Sequence, residues 1–299
     1  MANAIQAVTK YLPYLDEVYK YGSRSAVLET NSNLVRETAD AKTVLIGKTS
    51  MQGLGNYDKA NGFVNGDVSL SWESHTFEYD RGRSFSIDAM DDLETLGMAF
   101  GTLASEFLRT QVIPEIDAVR FAKYCTNAGN KATGTLDADT VVPAIETAET
   151  TMKEAEIDLV GGYLFMTPTI KGYVKEDTKH FTRTLVPSEN PNRNFGMYDE
   201  LMIVEVPQSR FYSAVTLLDG KTGGQEAGGY AKTESTGKDI NFMIIKPEAI
   251  VQITKHAKIR VFEPDVNQQA DAYKIDYRIY HDGWVLENKK NGIYAHTKA

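Results

Sequence analysis

Three Gly-Lys pairs are the closest this sequence comes to phosphate chemistry: Gly47-Lys48-Thr49, Gly220-Lys221-Thr222 and Gly237-Lys238. A nucleotide loop needs a further glycine five residues before the one preceding lysine, so that consecutive amides can curl round the phosphates. Those positions hold Lys42, Val215 and Lys232. None of the three pairs is read as a nucleotide site.

Other reactive residue types are scattered. No two of the histidines (His75, His180, His256, His281 and His296) sit at helical ligand spacing, and Cys125 is the one cysteine. A structural zinc site is therefore not expected. Cys125 cannot form an internal disulfide and suits a reducing compartment; it reads as a small apolar group at a helix end. His281-Asp282 has the residue types of half a catalytic relay. Adjacent strand residues point to opposite faces, however, so the pair is read as structural, marking a bend at Gly283. Asp88, Asp91, Asp92 and Glu94 read as helix-start charge favoured by the macrodipole, and Asp137-Ala138-Asp139 as a solvated turn. No Gly-x-Ser-x-Gly elbow occurs. The 16 tyrosines are spread along strand faces rather than grouped with arginine into a stacking groove. The expectation is no catalytic, cofactor or metal site and no enzyme. Tyrosine offers broad contact area with little rotamer loss, which suits subunit contacts.

The elements carrying these residues are unusual in length. Val251, Ile253, Ala257, Ile259 and Val261 alternate with Gln252, Thr254, Lys258 and Arg260, which predicts one apolar face on a long strand. After Glu263-Pro264-Asp265 the period returns, with Tyr273, Ile275, Tyr277 and Ile279 opposite Lys274, Asp276 and Arg278. A dozen residues at ~3.3 Å each span roughly 40 Å. Residues 41–87 read as a long hairpin: Thr43–Gly47 goes out, a tip follows with Gly53, Gly55, Gly62 and Gly66 around Tyr57-Asp58-Lys59, and the return strand runs from Val68, Leu70 and Trp72 through Phe77 and Tyr79. Such a hairpin has little reason to fold on its own core and is expected to reach a neighbour.

The strongest helix spans 91–124. Asp91 and Glu94 form a capping-box pattern, and Leu96, Phe100, Leu103, Phe107, Leu108, Val112, Ile116, Val119 and Phe121 form its apolar stripe, which Pro114 should kink. A second helix is expected at 140–155, a buried strand at Tyr163–Met166, a short helix from Thr167 to about Glu176, strands at Leu201–Val206 and Tyr212–Leu218, and a loop at Asp219–Thr236. Residues 1–40, with a short helix at Asp16–Tyr21, read as an arm that docks elsewhere.

Composition narrows the class. The chain has 299 residues, 42% hydrophobic and 24% charged, enough for real cores. A net charge of −9 argues against a surface built for phosphate backbones. No run of eighteen apolar residues predicts a membrane span, and the first residues lack a secretory signal pattern.

The order of these parts resembles the major capsid protein of tailed bacteriophages, with the Hong Kong 97-type fold. The stretches carrying the resemblance are Tyr79-Asp80-Arg81-Gly82-Arg83-Ser84-Phe85 into Asp88-Ala89-Met90-Asp91, and Phe107-Leu108-Arg109 through Pro114-Glu115-Ile116-Asp117. Phe262-Glu263-Pro264-Asp265, Gln269-Ala270-Asp271 and Asn291-Gly292-Ile293-Tyr294-Ala295 complete them. The resemblance implies an α+β fold: an N-arm at 1–40, an extended hairpin (E-loop) at 41–87, a peripheral domain at 88–130 and 252–287, and an axial domain at 131–251 and 288–299. It also implies a virion subunit assembled in the bacterial host cytoplasm, forming hexamers and pentamers around double-stranded DNA that it does not read by sequence. A separate scaffolding protein, a portal and a decoration protein are the implied partners; an encapsulin-like nanocompartment shell is the alternative. Relatives that crosslink use a hairpin lysine, but neither Lys48 nor Lys59 is matched to that role, and no crosslink is expected.

Overall fold

The computed structural model describes residues 22–29, 35–37, 42–59, 62–88, 104–175, 181–186, 195–268 and 270–299. Its strands are β1 (Val35–Glu37), β2 (Thr43–Met51), β3 (Val68–Thr76), β4 (Tyr79–Asp88), β5 (Asn130–Thr133), β6 (Tyr163–Met166), β7 (Phe181–Val186) and β8 (Phe195–Tyr198). They continue as β9 (Leu201–Glu205), β10 (Val215–Leu217), β11 (Tyr230–Lys232), β12 (Ile240–Ile245), β13 (Ile250–Phe262), β14 (Ala272–Val285) and β15 (Ile293–Thr297). The helices are α1 (Ile113–Asn127), α2 (Val141–Glu154) and α3 (Pro168–Val174).

The two long strands exist and pair antiparallel, and β4 joins them as a third in the order β13-β14-β4. Their apolar pattern works differently from the sequence expectation. Thr254 pairs with His281 and His256 with Tyr280, so Lys255 is an extra residue, a β-bulge. A bulge of one residue reverses the alternation beyond it. Val251 and Ile253 therefore do not share a face with Ala257, Ile259 and Val261. They pack with Trp284, Tyr280 and Phe77 against Val44 and Ile46 of β2. Ile259 lies on the opposite face with Tyr277 and Ile279, beneath Phe107, Leu108, Val112 and Ile116. The hairpin root thus covers the face bearing Tyr280 and Trp284, while the helix covers the face bearing Tyr277 and Ile279 and, farther along, His281 and Gly283.

The helix above it is α-helical at 104–107, opens into a π turn at Leu108–Val112 and resumes as α1. Pro114 stands at the start of α1. It has no N–H for a bond to residue 110 and its ring would crowd that carbonyl; the wider π turn accommodates both. The capping box, Leu96, Phe100, Leu103 and the Asp16–Tyr21 helix lie outside the described residues.

The seven-stranded sheet runs β5-β15-β12-β6-β9-β8-β7. Its centre is apolar on both faces, as a sheet covered on both sides requires. Met243 and Ile245 of β12 pack with Phe165 against Phe121, Tyr124 and Cys125 of α1. Phe242 and Ile244 face Ile145, Ala148 and Met152 of α2 and Ile170 of α3. Thr167 caps α3 by accepting from the Ile170 amide at 3.4 Å.

Several expectations need correction. The return strand ends at Thr76; Phe77 and Glu78 intervene, and Tyr79 begins β4 in a different sheet. Asp88 is the last residue of β4, opposite Ala272, and Asp91, Asp92 and Glu94 lie outside the described residues. The strand expected at Tyr212–Leu218 is regular only over Val215–Leu217, and the expected loop contains its partner β11. The arm does not simply dock elsewhere. Ser23, Ser25 and Leu28 are buried on this chain's own α1. The buried Asp117 carboxylate accepts from Ser23 Oγ at 2.7 Å, the Arg24 amide at 2.9 Å, Ser25 Oγ at 2.8 Å and the Ser25 amide at 3.1 Å. Arg210 donates to it at 3.3 Å. Helical spacing marks Asp117 as core-facing, and these donors are what let a carboxylate sit there.

The bulge generates a sharp prediction. Deleting Lys255 forces one half of the ribbon to turn its buried side chains outward. Several residues each worth about 1.5–3 kcal/mol on burial exceed a typical total stability of about 5–15 kcal/mol. The deletion should abolish soluble, cooperatively melting protein, whereas Lys255→Ala should melt as wild type. A deletion variant with wild-type thermal unfolding contradicts the two-faced ribbon.

Candidate assembly interface

The hairpin of β2 and β3 is in continuous antiparallel register from Thr43↔Thr76 to Met51↔Val68. Nine paired residues at ~3.4 Å make a stem of roughly 30 Å. At its root, Val44 and Ile46 are buried. Phe77 meets Trp284 edge-on at 5.0 Å between centroids and Tyr280 at 5.0 Å. The root therefore does fold onto the chain's own core. β1 adds a third strand, pairing Val35 through Glu37 with Ile46 through Val44. The Arg36 guanidinium lies 4.4 Å from the Trp72 ring centre. Lys48 donates to Glu73 at 3.1 Å and to Glu287 at 3.0 Å. Those bonds raise the Lys48 pKa, and the Lys48 bond holds Glu287 below the usual carboxylate range. Lys48 is thus an anchor between the stem and the residues before β15.

Burial then falls away toward the tip, but apolarity does not. Met51, Leu54, Tyr57, Phe63, Val64, Val68 and Leu70 are all exposed, Phe63 at 87% and Leu54 fully. Tyr57 and Phe63 touch each other at 4.9 Å, and Asp58 and Gly62 exchange backbone bonds of 3.2 and 2.7 Å. Gly62 has φ of +78°, a conformation that favours glycine. Scattered apolar surface residues are ordinary, whereas a contiguous group on a projection marks a contact site. Covering seven such side chains is worth on the order of 10 kcal/mol before the costs of association. Sequence reading placed the glycines and lysines of this tip but did not single out Met51, Leu54, Phe63 and Val64. The detectable signal was large apolar residues inside a glycine-rich turn.

The residues that could have done chemistry are occupied elsewhere. Gly47-Lys48 lies within β2. In Gly220-Lys221-Thr222, the amides that might cradle phosphate donate instead to Asp219, from Lys221 at 2.8 Å and Thr222 at 2.8 Å. With the Thr222 hydroxyl at 2.6 Å foremost, these bonds hold Asp219 down to about 2. The Gly237 amide bonds Thr233 and the Lys238 amide bonds Ser213 Oγ. Asp137 accepts from Asp139 and Thr140 in a turn opening α2. Cys125 is buried, and burial pushes its thiol up to about 11.

His281 and Asp282 go to opposite faces of β14. His281 is buried under α1 with its ring 5.8 Å from Tyr79; burial, then Arg120 and Lys123, push it down to about 3. Asp282 accepts from Lys123 at 2.6 Å and from the Glu78 amide at 3.1 Å. Gly283 serves a close approach: a β-carbon there would lie 2.6 Å from Tyr124 Oη. His296 stacks on Phe242 at 5.1 Å, and His75 lies 5.7 Å from Trp284. His180 is outside the described residues.

No family model and no curated protein matches the sequence. Solved structures do match the fold. A chain of Mycobacterium phage Che8 superposes with a TM-score of 0.55 at 15% identity, over 88% of this chain and 89% of that one. The capsid structure of cyanophage P-SCSP1u gives 0.56 at 12% identity, over 91% and 86%. The mature capsid of bacteriophage PhiM1 gives 0.51 at 12% identity, over 88% and 83%. The fold of this chain is the mixed α+β fold of phage capsid structures, over most of its length.

Proposed function

We propose that this chain is the major capsid protein of a tailed double-stranded DNA bacteriophage. Hexamers and pentamers of it close into the icosahedral head that encloses the genome. The observation that carries the reading is the apolar hairpin tip, projecting unburied from a chain with the capsid fold. A lone subunit gains nothing from holding those side chains in water; a neighbour covering them gains their burial. The role is structural rather than enzymatic. Residues 1–40 serve as N-arm, 41–87 as E-loop, 88–130 and 252–287 as peripheral domain, and 131–251 with 288–299 as axial domain. Scaffolding, portal and decoration proteins are separate partners, assembly takes place in the host cytoplasm, and the net charge of −9 suits a container that does not grip DNA.

Electron microscopy of the purified product should show closed shells or capsomer sheets. A purely monomeric product contradicts the reading, and native particles filled with protein cargo and no DNA favour the nanocompartment instead. A double variant, Leu54→Glu with Phe63→Glu, should leave subunit stability within about 0.5 kcal/mol, as for other surface changes, and should lose particles. Wild-type particle yield from that variant contradicts the role given to the tip.

A further inference from the structure

The sequence holds three Asn-Gly pairs, Asn61-Gly62, Asn65-Gly66 and Asn291-Gly292. Asparagine is thermolabile, and a following glycine exposes it further. With no β-carbon in the way, the glycine nitrogen can reach the carbonyl carbon of the asparagine side chain. That attack needs a solvated side chain, a backbone able to turn, and an N–H that no acceptor already holds. The Gly62 amide fails, because it donates to the Asp58 carbonyl at 2.7 Å. Gly292 fails as well. It is buried in the short helical turn Glu287–Gly292, its carbonyl accepts from the Lys246 amide at 2.9 Å, and a β-carbon there would lie 3.0 Å from that of Ala249. Asn65-Gly66 meets every condition. Both residues are exposed, and residues 63–67 belong to no helix or strand. Among the described residues, neither the Asn65 side chain nor the Gly66 amide makes a hydrogen bond. The Gln52 side chain accepts instead from the next amide, that of Asp67, at 3.2 Å. A β-carbon on Gly66 would meet nothing nearer than 4.0 Å.

We propose that Asn65 is a self-modification site, where the free subunit converts its own hairpin tip to a carboxylate and which assembly shields. The Gly66 nitrogen gives up its proton to hydroxide and bonds to Asn65 Cγ. The Cγ–Nδ2 bond breaks, ammonia leaves with a proton taken from water, and a cyclic succinimide remains. Water then opens the ring at Cγ to give aspartate, or at the backbone carbonyl carbon to give isoaspartate, with the chain rerouted through the side chain. The net change is amide and water to carboxylate and ammonium, with no oxidant, reductant or enzyme. The new charge stands beside Phe63, Val64 and Val68 of the exposed apolar group. Covering a carboxylate without a partner is costly, so a converted subunit no longer suits the contact assigned to the tip. The tip thereby separates fresh subunits from those left unassembled. The shielding and this consequence rest on the shell reading; the chemistry of the free chain does not.

Peptide mass mapping of free subunits and of particles, both held warm at mildly alkaline pH, tests this, with isoaspartate methyltransferase labelling as a second readout. In free subunits Asn65 should lose its amide at least about tenfold faster than Asn291, and Gly66→Ala should remove the difference. Conversion at Asn65 no faster than at Asn291 overturns the site. In particles Asn65 should convert at least about tenfold more slowly than in free subunits; equal rates overturn the shielding alone. Asn65→Asp should keep the circular dichroism of the subunit and lower particle yield at least about threefold, whereas wild-type yield overturns the consequence for assembly. Failure of the wild type to form particles overturns the shell reading and the shielding with it, while the free chain still decides the chemistry at Asn65.

Discussion

The extra residue at Lys255 is the constraint on which the other parts depend. Without it a strand of thirteen residues has one buried face and can hold one neighbour. With it, β13 sends Val251 and Ile253 to the hairpin root on one side and Ile259 to the long helix on the other. Among the described residues the hairpin is fastened toward its base, by Val44, Ile46, Phe77 and Trp284 and by the bond from Lys48 to Glu287. Its far end is left with apolar side chains in water. A fold that invests so much packing in the root of a projection leaves at its tip an apolar surface that another molecule can cover.

Buried polar groups fix the junction where arm, helix and ribbon meet. Asp117 gathers donors from two separate stretches of chain, Ser23–Ser25 and Arg210, and Arg120 reaches Ser25 Oγ at 3.1 Å and Thr254 Oγ1 at 3.3 Å. Gln252 donates to the Ser25 carbonyl at 3.3 Å. Apolar packing tolerates sliding, whereas hydrogen bonds of this kind admit one register. The segment from Ser23 to Leu28 is thus set by its own chain. This confines any exchange of arms between copies to residues outside that segment.

Much of this was legible in the sequence for physical reasons that can be named. Periodicity of two found β13, β14 and β3, and the helical stripe found α1, because both periods follow from backbone geometry. Thr167 and Pro168 announced α3 through capping chemistry. The bulge was not legible: Val251, Ile253, Ala257, Ile259 and Val261 fit one alternating template with Lys255 in phase, and only the pairing partner reveals the extra residue. The split between β3 and β4 was hidden similarly, since Phe77 and Tyr79 continue an acceptable strand pattern. The tip was seen as a turn because glycine dominates it, and its apolar residues became meaningful only when shown to be unburied. Asp117 and Arg120 lie on the packed side of α1, where a sequence offers no sign of the distant serines and arginine that satisfy them.

Solvent access at the tip examines most directly the idea that neighbours cover this finger. A Leu54→Cys substitution places one reactive thiol there, while native Cys125, buried with its thiol pushed up to about 11, stays silent. Maleimide should label the free subunit rapidly and the assembled particle at least about tenfold more slowly. Equal labelling in both states, or slow labelling of the isolated chain, would show that the finger is not what copies of this protein hold.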